Sequence, residues 1–130
     1  MPLNFTDGIT NLLTTYLDVQ SRRAQVISSN IANADTPDFI AKQLDFKDYL
    51  RDAARQTLSA NDPNGQPEQK LLATPQIIEQ TPTAVGIDGN TVDVGHEMSE
   101  LAESGMQYLS GTKLLQSRLK TLRAAIREGK

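Results

Sequence analysis

The chain has 130 residues, about one domain, and its 13 Lys and Arg against 16 Asp and Glu leave a formal net charge of −3. That balance argues against a general nucleic-acid binder, which carries a basic face over an excess of positive charge, and the lack of cysteine excludes disulfides, thiolate metal sites and cysteine nucleophiles. A single histidine, His96, excludes a two-histidine metal cluster, and an apolar fraction of about 42%, counting glycine and omitting tyrosine, falls short of the roughly 45–50% of an ordinary globular domain.

The N-terminal stretch MPLNFTDGITNLLTTYLDV has no positive n-region, no unbroken apolar run and no small-residue cleavage site. Nothing approaches the ~18 consecutive apolar residues of a membrane span. Taken alone, these signals predict a soluble, cytoplasmic protein without direct membrane insertion. That inference fails for a chain exported by a route that leaves no cleaved signal.

Residues 9–34 contain no proline, and Leu13, Leu17, Gln20, Ala24, Ile27, Ile31 and Ala34 are spaced 4, 3, 4, 3, 4, 3. This heptad pattern predicts a long helix that pairs with another helix, with one polar interruption at Gln20. Thr36-Pro37 ends it, because the residue before proline is pushed out of the helical region.

The middle of the chain is different. Residues 44–58 (LDFKDYLRDAARQTL) predict a short amphipathic helix with Leu44, Leu50, Ala54 and Leu58 roughly on one side. Residues 61–69 (NDPNGQPEQ) read as a linker. Pro75 and Pro82 make helix improbable over 71–85 and leave short extended pieces, and Asp88-Gly89 signals a turn.

The C-terminal third restores the heptad: Met98, Leu101, Gly105, Tyr108, Thr112, Leu115, Leu119, Leu122 and Ile126. Asp93 is placed to cap this helix. Glu97, Glu100 and Glu103 lie near its start and Lys120, Arg123 and Arg127 near its end, complementing the helix dipole. A basic helix end also suits nucleic acid or an acidic membrane surface, but in an acidic chain a solvated face is the simpler reading.

The expected fold is mainly α: long N- and C-terminal helices pairing as an antiparallel coiled coil around a loosely structured central insert. The boundaries are 1–36 for the first helix, 37–90 for the insert and 91–130 for the second helix. The isolated chain is expected to be marginally stable, its assembly seams being Leu13, Leu17, Ala24, Ile27 and Ile31 on one helix and Met98, Leu101, Tyr108, Leu115, Leu119, Leu122 and Ile126 on the other. The small or polar members Gly105, Ala24, Thr112 and Gln20 let neighbouring helices approach closely.

Nothing in the sequence points to catalysis. His96 stands beside Glu97 and close to Asp93, but neighbours in sequence on a helix do not face each other. No phosphate-cradling glycine loop, serine elbow or zinc signature is present, and the acidic and amide residues over 88–97 do not have the spacing of a calcium loop. No cofactor is expected.

Residues 28–37 (SSNIANADTP), followed by Asp38-Phe39, resemble the signature of the bacterial flagellar rod and hook family, an Asn-x-x-Thr-Pro-Gly-Tyr stretch that ends the first long helix. Asn33, Thr36 and Pro37 match it, Phe39 stands where Tyr is usual, and Asp38 replaces the usual Gly. Asp tolerates left-handed backbone better than most residues. A second match, DGNTVD at 88–93, leads into the C-terminal helix, and the short insert is similar to that of the proximal rod members.

This resemblance implies a non-enzymatic subunit that is exported unfolded through the flagellar type III apparatus and polymerises into the rod crossing the periplasm. The implied partners are other copies of itself, FlgC-like rod subunits, the FliE adaptor and the flagellar export gate. Phe5 and Ile9 resemble the Phe-x-x-x-hydrophobic element by which such subunits engage that gate, although two apolar residues four apart also suit simple packing. Asn33, Thr36 and Pro37 equally suit a local role in ending the helix and starting a turn. The competing function is a coiled-coil adaptor or chaperone-like binding module that stays in the cytoplasm.

Overall fold

The computed structural model describes residues 7–60 and 74–129. Its elements in chain order are α1 (Asp7–Ala32), β1 (Lys42–Asp45), α2 (Lys47–Ala60), β2 (Gln76–Glu79) and α3 (Val94–Glu128). Phe5, the linker at 61–69 and the first part of the 71–85 stretch lie outside the described residues.

The two long helices pair antiparallel along their length. Asn30 near the end of α1 meets Glu97 near the start of α3, and Gln20 meets Ser104. Tyr16 and Leu17 lie against Gly111. The mainly helical architecture is therefore the expected one. Asp93 caps α3 as its position suggested, its Oδ1 accepting the His96 N–H at 3.1 Å.

α1 stops at Ala32, earlier than the proline alone requires. Asn33 donates its side-chain N–H to the Ser29 carbonyl at 2.8 Å, occupying a carbonyl of the last turn. The chain then tightens through Ala34 N–H to Ile31 O and Thr36 N–H to Asn33 O.

The insert divides differently from the expected single helix over 44–58. Leu44 and Asp45 belong to β1, which pairs antiparallel with β2 in the register Lys42↔Glu79 to Asp45↔Gln76. α2 begins only at Lys47 and leans back along the first half of α1, with Thr57 beside Gly8. Its inward residue is Ala53 rather than Leu58, which is exposed. The cause is that Leu44 is used by the strand, so the helix takes its phase from Leu50 and Ala53.

The apolar core is small. Among the described residues the buried hydrophobic side chains are Val19, Ile27, Ala41, Leu44 and Ala53. Several buried positions are polar instead: Gln20, Asn30, Asn90, Glu97 and Ser104.

Candidate assembly interface

The two sequence motifs form one physical unit. Thr36-Pro37-Asp38-Phe39 makes a turn closed by the Phe39 N–H on the Thr36 carbonyl, with Pro37 and Asp38 at its two corners. Asp38 has φ +59°, the left-handed value that a type II turn requires at its second corner and that normally selects glycine. Asp38 thus holds the corner of the turn in a conformation few non-glycine residues adopt.

The second motif clamps the first. The Asn90 side chain donates to the carbonyls of Asn33 at 2.9 Å and Thr36 at 2.8 Å, while its Oδ1 accepts the Val92 N–H. Asp38 N–H donates to Asp88 O, Thr91 N–H to Phe39 O, and Ala41 N–H to the Thr91 hydroxyl. Gly89, at φ +79°, lies directly against the Asp38 carboxylate, where a side chain would collide. The exit of α1 and the entry to α3 are held together by this clasp. The local role of Asn33 in ending the helix is real, and Thr36 supports it by donating its hydroxyl to Asn33 Oδ1 at 3.2 Å.

Beyond the clasp the helices meet along a polar and small-residue line. Glu97 is completely buried at the start of α3; its two oxygens accept from Asn30 at 3.0 Å and Gln80 at 2.8 Å. Asn30 also exchanges two hydrogen bonds with the Lys42 backbone, which fixes β1 to α1. One helical turn on, Arg23 pairs with Glu100, reaches Glu103 at 3.7 Å, and stacks its guanidinium 5.7 Å from the Phe46 ring. The Ser104 hydroxyl lies within hydrogen-bond distance of the Gln20 carbonyl and side chain. At Gly111 the α3 backbone comes so close that an added Cβ would stand 2.9 Å from Leu17 Cδ2 and 3.1 Å from the Tyr16 ring.

On α3 the residues facing α1 therefore fall on the heptad line Glu97, Ser104, Gly111, one position before Met98, Gly105 and Thr112 of the apolar pattern. Successive helical residues are turned by about 100°, so the centre of the apolar stripe lies about 70° round the helix from this line. Met98, Tyr108, Leu119 and Ile126 are exposed, while Leu101, Leu115 and Leu122 are half-buried. On α1 the shift is smaller: Ile27 and Gln20 are buried, Leu13, Leu17, Ala24 and Ile31 are half-buried, and Arg23 and Asn30 turn inward one residue before Ala24 and Ile31.

The simple expectation that the two apolar stripes close on each other is corrected here. Small residues on α3 let the Tyr16 and Leu17 side chains lie on its backbone, so the helix is rotated and much of its own stripe stays open. Ile9 is exposed near the start of α1, and Phe39 is half-buried beside the clasp.

Sequence reasoning missed Asn30, Glu97, Arg23 and Ser104. The usable signal was that each polar side chain stands one place from an apolar heptad position, where a modest rotation brings it inward. His96 is exposed, and among the described residues no helix is long and apolar enough to cross a membrane.

A family model described as flagella basal body rod protein matches residues 17–39, which run from the middle of α1 through the Thr36–Phe39 turn. Similarity to curated proteins extends much further. The flagellar basal body rod protein FlgB of Aeromonas hydrophila is 36% identical over 117 residues, covering 85% of this chain and 86% of that one. FlgB of Yersinia ruckeri is 27% identical over 136 aligned residues, 98% of this chain and 99% of its own length, and FlgB of Escherichia coli K12 is 28% identical over 122 residues, 87% of this chain. With similarity on this scale, the chain belongs to the FlgB family of flagellar basal body rod proteins, structural subunits of the rod.

Proposed function

We propose that this subunit reaches the rod by export through the flagellar type III apparatus, without a cleaved signal peptide, and that it acts there mechanically and without catalysis. The observation that carries the reading is the open stripe on α3, where Met98 is 60% and Ile126 68% exposed on a helix already paired on another face. An apolar stripe of that length on an isolated soluble protein invites association. In a rod it is covered by neighbouring helices.

On this reading residues 1–36 and 91–130 form the rod core, lining the inner tube, and 37–90 face outward. Leu13, Leu17, Ala24, Ile27 and Ile31 with Met98, Leu101, Tyr108, Leu115, Leu119, Leu122 and Ile126 supply the lateral seams. The neighbours are other copies of this chain, FlgC-like subunits above, and the FliE adaptor and export gate at the base. Torque then passes between subunits through interdigitated helices, around a central channel. Asn33, Thr36, Pro37 and Phe39 form the turn through which the insert leaves the helix pair.

The test is deletion of the gene followed by isolation of basal bodies. Loss of the rod and of motility, with the chain present in wild-type particles, is the expected result. Intact rods and normal swimming overturn the reading and leave a cytoplasmic coiled-coil adaptor. A chain carrying Met98→Asp and Tyr108→Asp should be expressed and folded yet fail to restore swimming.

A further inference from the structure

α3 has two faces suited to packing on α1. The face now turned inward carries Glu97, Ser104 and Gly111. The apolar stripe through Leu101, Gly105, Tyr108 and Leu115, about 70° round the helix, would bury more hydrocarbon in the same place. Room for that second arrangement exists. On the stripe side the helices flank an open groove of about 290 Å³, walled by Ser21 and Ala24 of α1 and by Leu101, Gly105 and Tyr108 of α3. A side chain added at Gly105 meets nothing within 4 Å, so nothing there bars a close approach.

The contact at Gly111 favours the observed rotation at one level of the pair. At the start of α3 the rotation rests on hydrogen bonds. Glu97 is 0% exposed, and no cation pairs with it among the described residues. Two neutral amides meet it instead, Asn30 Nδ2 at 3.0 Å and Gln80 Nε2 at 2.8 Å. A buried carboxylate deprived of such donors is costly.

Both amides are positioned by the insert. Asn30 exchanges two hydrogen bonds with the Lys42 backbone, Gln80 Nε2 also reaches the Lys42 carbonyl at 3.2 Å, and Gln80 N–H donates to Ala41 O at 2.8 Å. A roll of about 70° carries a group about 5–6 Å from the helix axis through about 6–7 Å, well beyond hydrogen-bond reach. α3 therefore cannot turn its stripe inward while both bonds stand.

We propose that Asn30 and Gln80, by holding Glu97, lock the rotation of α3 so that its apolar stripe faces away from α1. Released from them, the carboxylate turns toward solvent and the stripe rolls into the groove beside Ser21 and Ala24. Buried polar groups serve paired helices in this way when they fix one arrangement among several apolar ones. The lock is set by the insert, whose Lys42 backbone holds both amides. Only its consequence, that an unlocked chain has no stripe left for its neighbours, rests on the reading that the chain assembles through that stripe.

The chain has no cysteine, so a thiol placed on the stripe reports its exposure through its rate of reaction with a water-soluble disulfide reagent. Met98→Cys and Tyr108→Cys, at positions 60% and 44% exposed, should each react as an open thiol. Adding Asn30→Ala and Gln80→Ala, which leave α3 itself unaltered, should slow both at least about tenfold, the result when the rolled form holds about 90% of the molecules. Circular dichroism should show the helix content retained. Glu97→Leu in that background should restore both rates, because an apolar side chain then holds the inward face and no carboxylate seeks solvent. If the double substitution loses helix content, Gln80→Ala alone decides, since it keeps the hold of Asn30 on Lys42. A slowing of about threefold or more then supports the lock, and an unchanged rate overturns it. In the folded double variant, unchanged rates overturn it, as do rates that stay slow with Glu97→Leu. Slowing at Met98→Cys without slowing at Tyr108→Cys also overturns it, because the start of α3 has then shifted without a roll of the helix. Basal bodies separate the lock from the assembly reading: a slowed, helical chain that enters isolated basal bodies as well as wild type leaves the lock standing and overturns the stripe as the assembly surface.

Discussion

Asn30 of α1 donates its side-chain N–H to the carboxylate of Glu97 on α3 at 3.0 Å, across a contact from which solvent is excluded at Glu97. The same amide satisfies both the N–H and the carbonyl of Lys42. Asn30→Ala removes three hydrogen bonds and leaves a buried carboxylate with Gln80 alone. It should cost about 2–4 kcal/mol, read as a lowered urea midpoint. Asn30→Asp should cost at least as much, since it replaces a donor by a second carboxylate. A change within about 0.5 kcal/mol, the size of an ordinary surface substitution, contradicts the role given to this residue.

The turn at Asp38 makes a second prediction. With φ at +59°, Asp38→Gly should change stability by less than about 1 kcal/mol, because relief of strain is offset by greater freedom of the unfolded chain. Asp38→Val should cost about 1–2 kcal/mol, since a β-branched residue resists that backbone. Gly89→Ala should be similarly costly, because φ is +79° and the Asp38 carboxylate occupies the space. Equal melting temperatures for Asp38→Gly and Asp38→Val show that the turn is not held as described.

Two glycines of α3 should respond with opposite sign. Gly105→Ala meets nothing within 4 Å and gains helix propensity, so it should raise stability by up to about 1 kcal/mol. Gly111→Ala drives a methyl into Leu17 and Tyr16, and should lower it by about 1 kcal/mol net of the same gain. If the face bearing Gly105 is covered in the rod, the more stable Gly105→Ala chain should also enter basal bodies less well. Thermal melts of the purified chains and blots of isolated basal bodies give the two readouts.

Export offers an independent test. Phe5→Ala should leave cellular expression unchanged and reduce the amount of chain recovered outside the cytoplasm. The same substitution with unchanged secretion removes Phe5 from the gate-engagement element. Ile9, exposed on the first turn of α1, should then be read as a packing residue awaiting a neighbour.

The two long helices, the Asp93 cap and the turn at Asp88-Gly89 were legible because each depends on local chemistry: a sustained heptad, a short acceptor before a helix, a flexible residue at positive φ. The pairing of the helices was legible for the same reason. Their rotation was not. Heptad spacing reports which residues share a face, but the face that turns inward is decided by the closest approach the backbones allow, and that was set by Gly111 and Ser104. Leu44 shows a similar limit, since an apolar residue ahead of a helix serves a strand equally well and the partner strand, Gln76–Glu79, lies more than thirty residues away. Asn90 read as part of a motif without a reason; its contacts with Asn33 and Thr36 span more than fifty residues.

The small apolar core has a thermal consequence. Unfolding a chain whose buried hydrophobic side chains, among the described residues, are Val19, Ile27, Ala41, Leu44 and Ala53 exposes little new apolar surface, so its heat-capacity increment should fall below the usual ~12–15 cal/mol/K per residue. The stability curve of the lone subunit is then shallow, with an unfolding enthalpy that changes slowly with temperature. Assembly reverses the balance, because covering the stripe from Met98 to Ile126 removes apolar surface from water and carries a negative heat-capacity change. Warming from the cold therefore strengthens the contacts between subunits while leaving each subunit's own stability nearly constant, and a rod built this way loosens first on cooling.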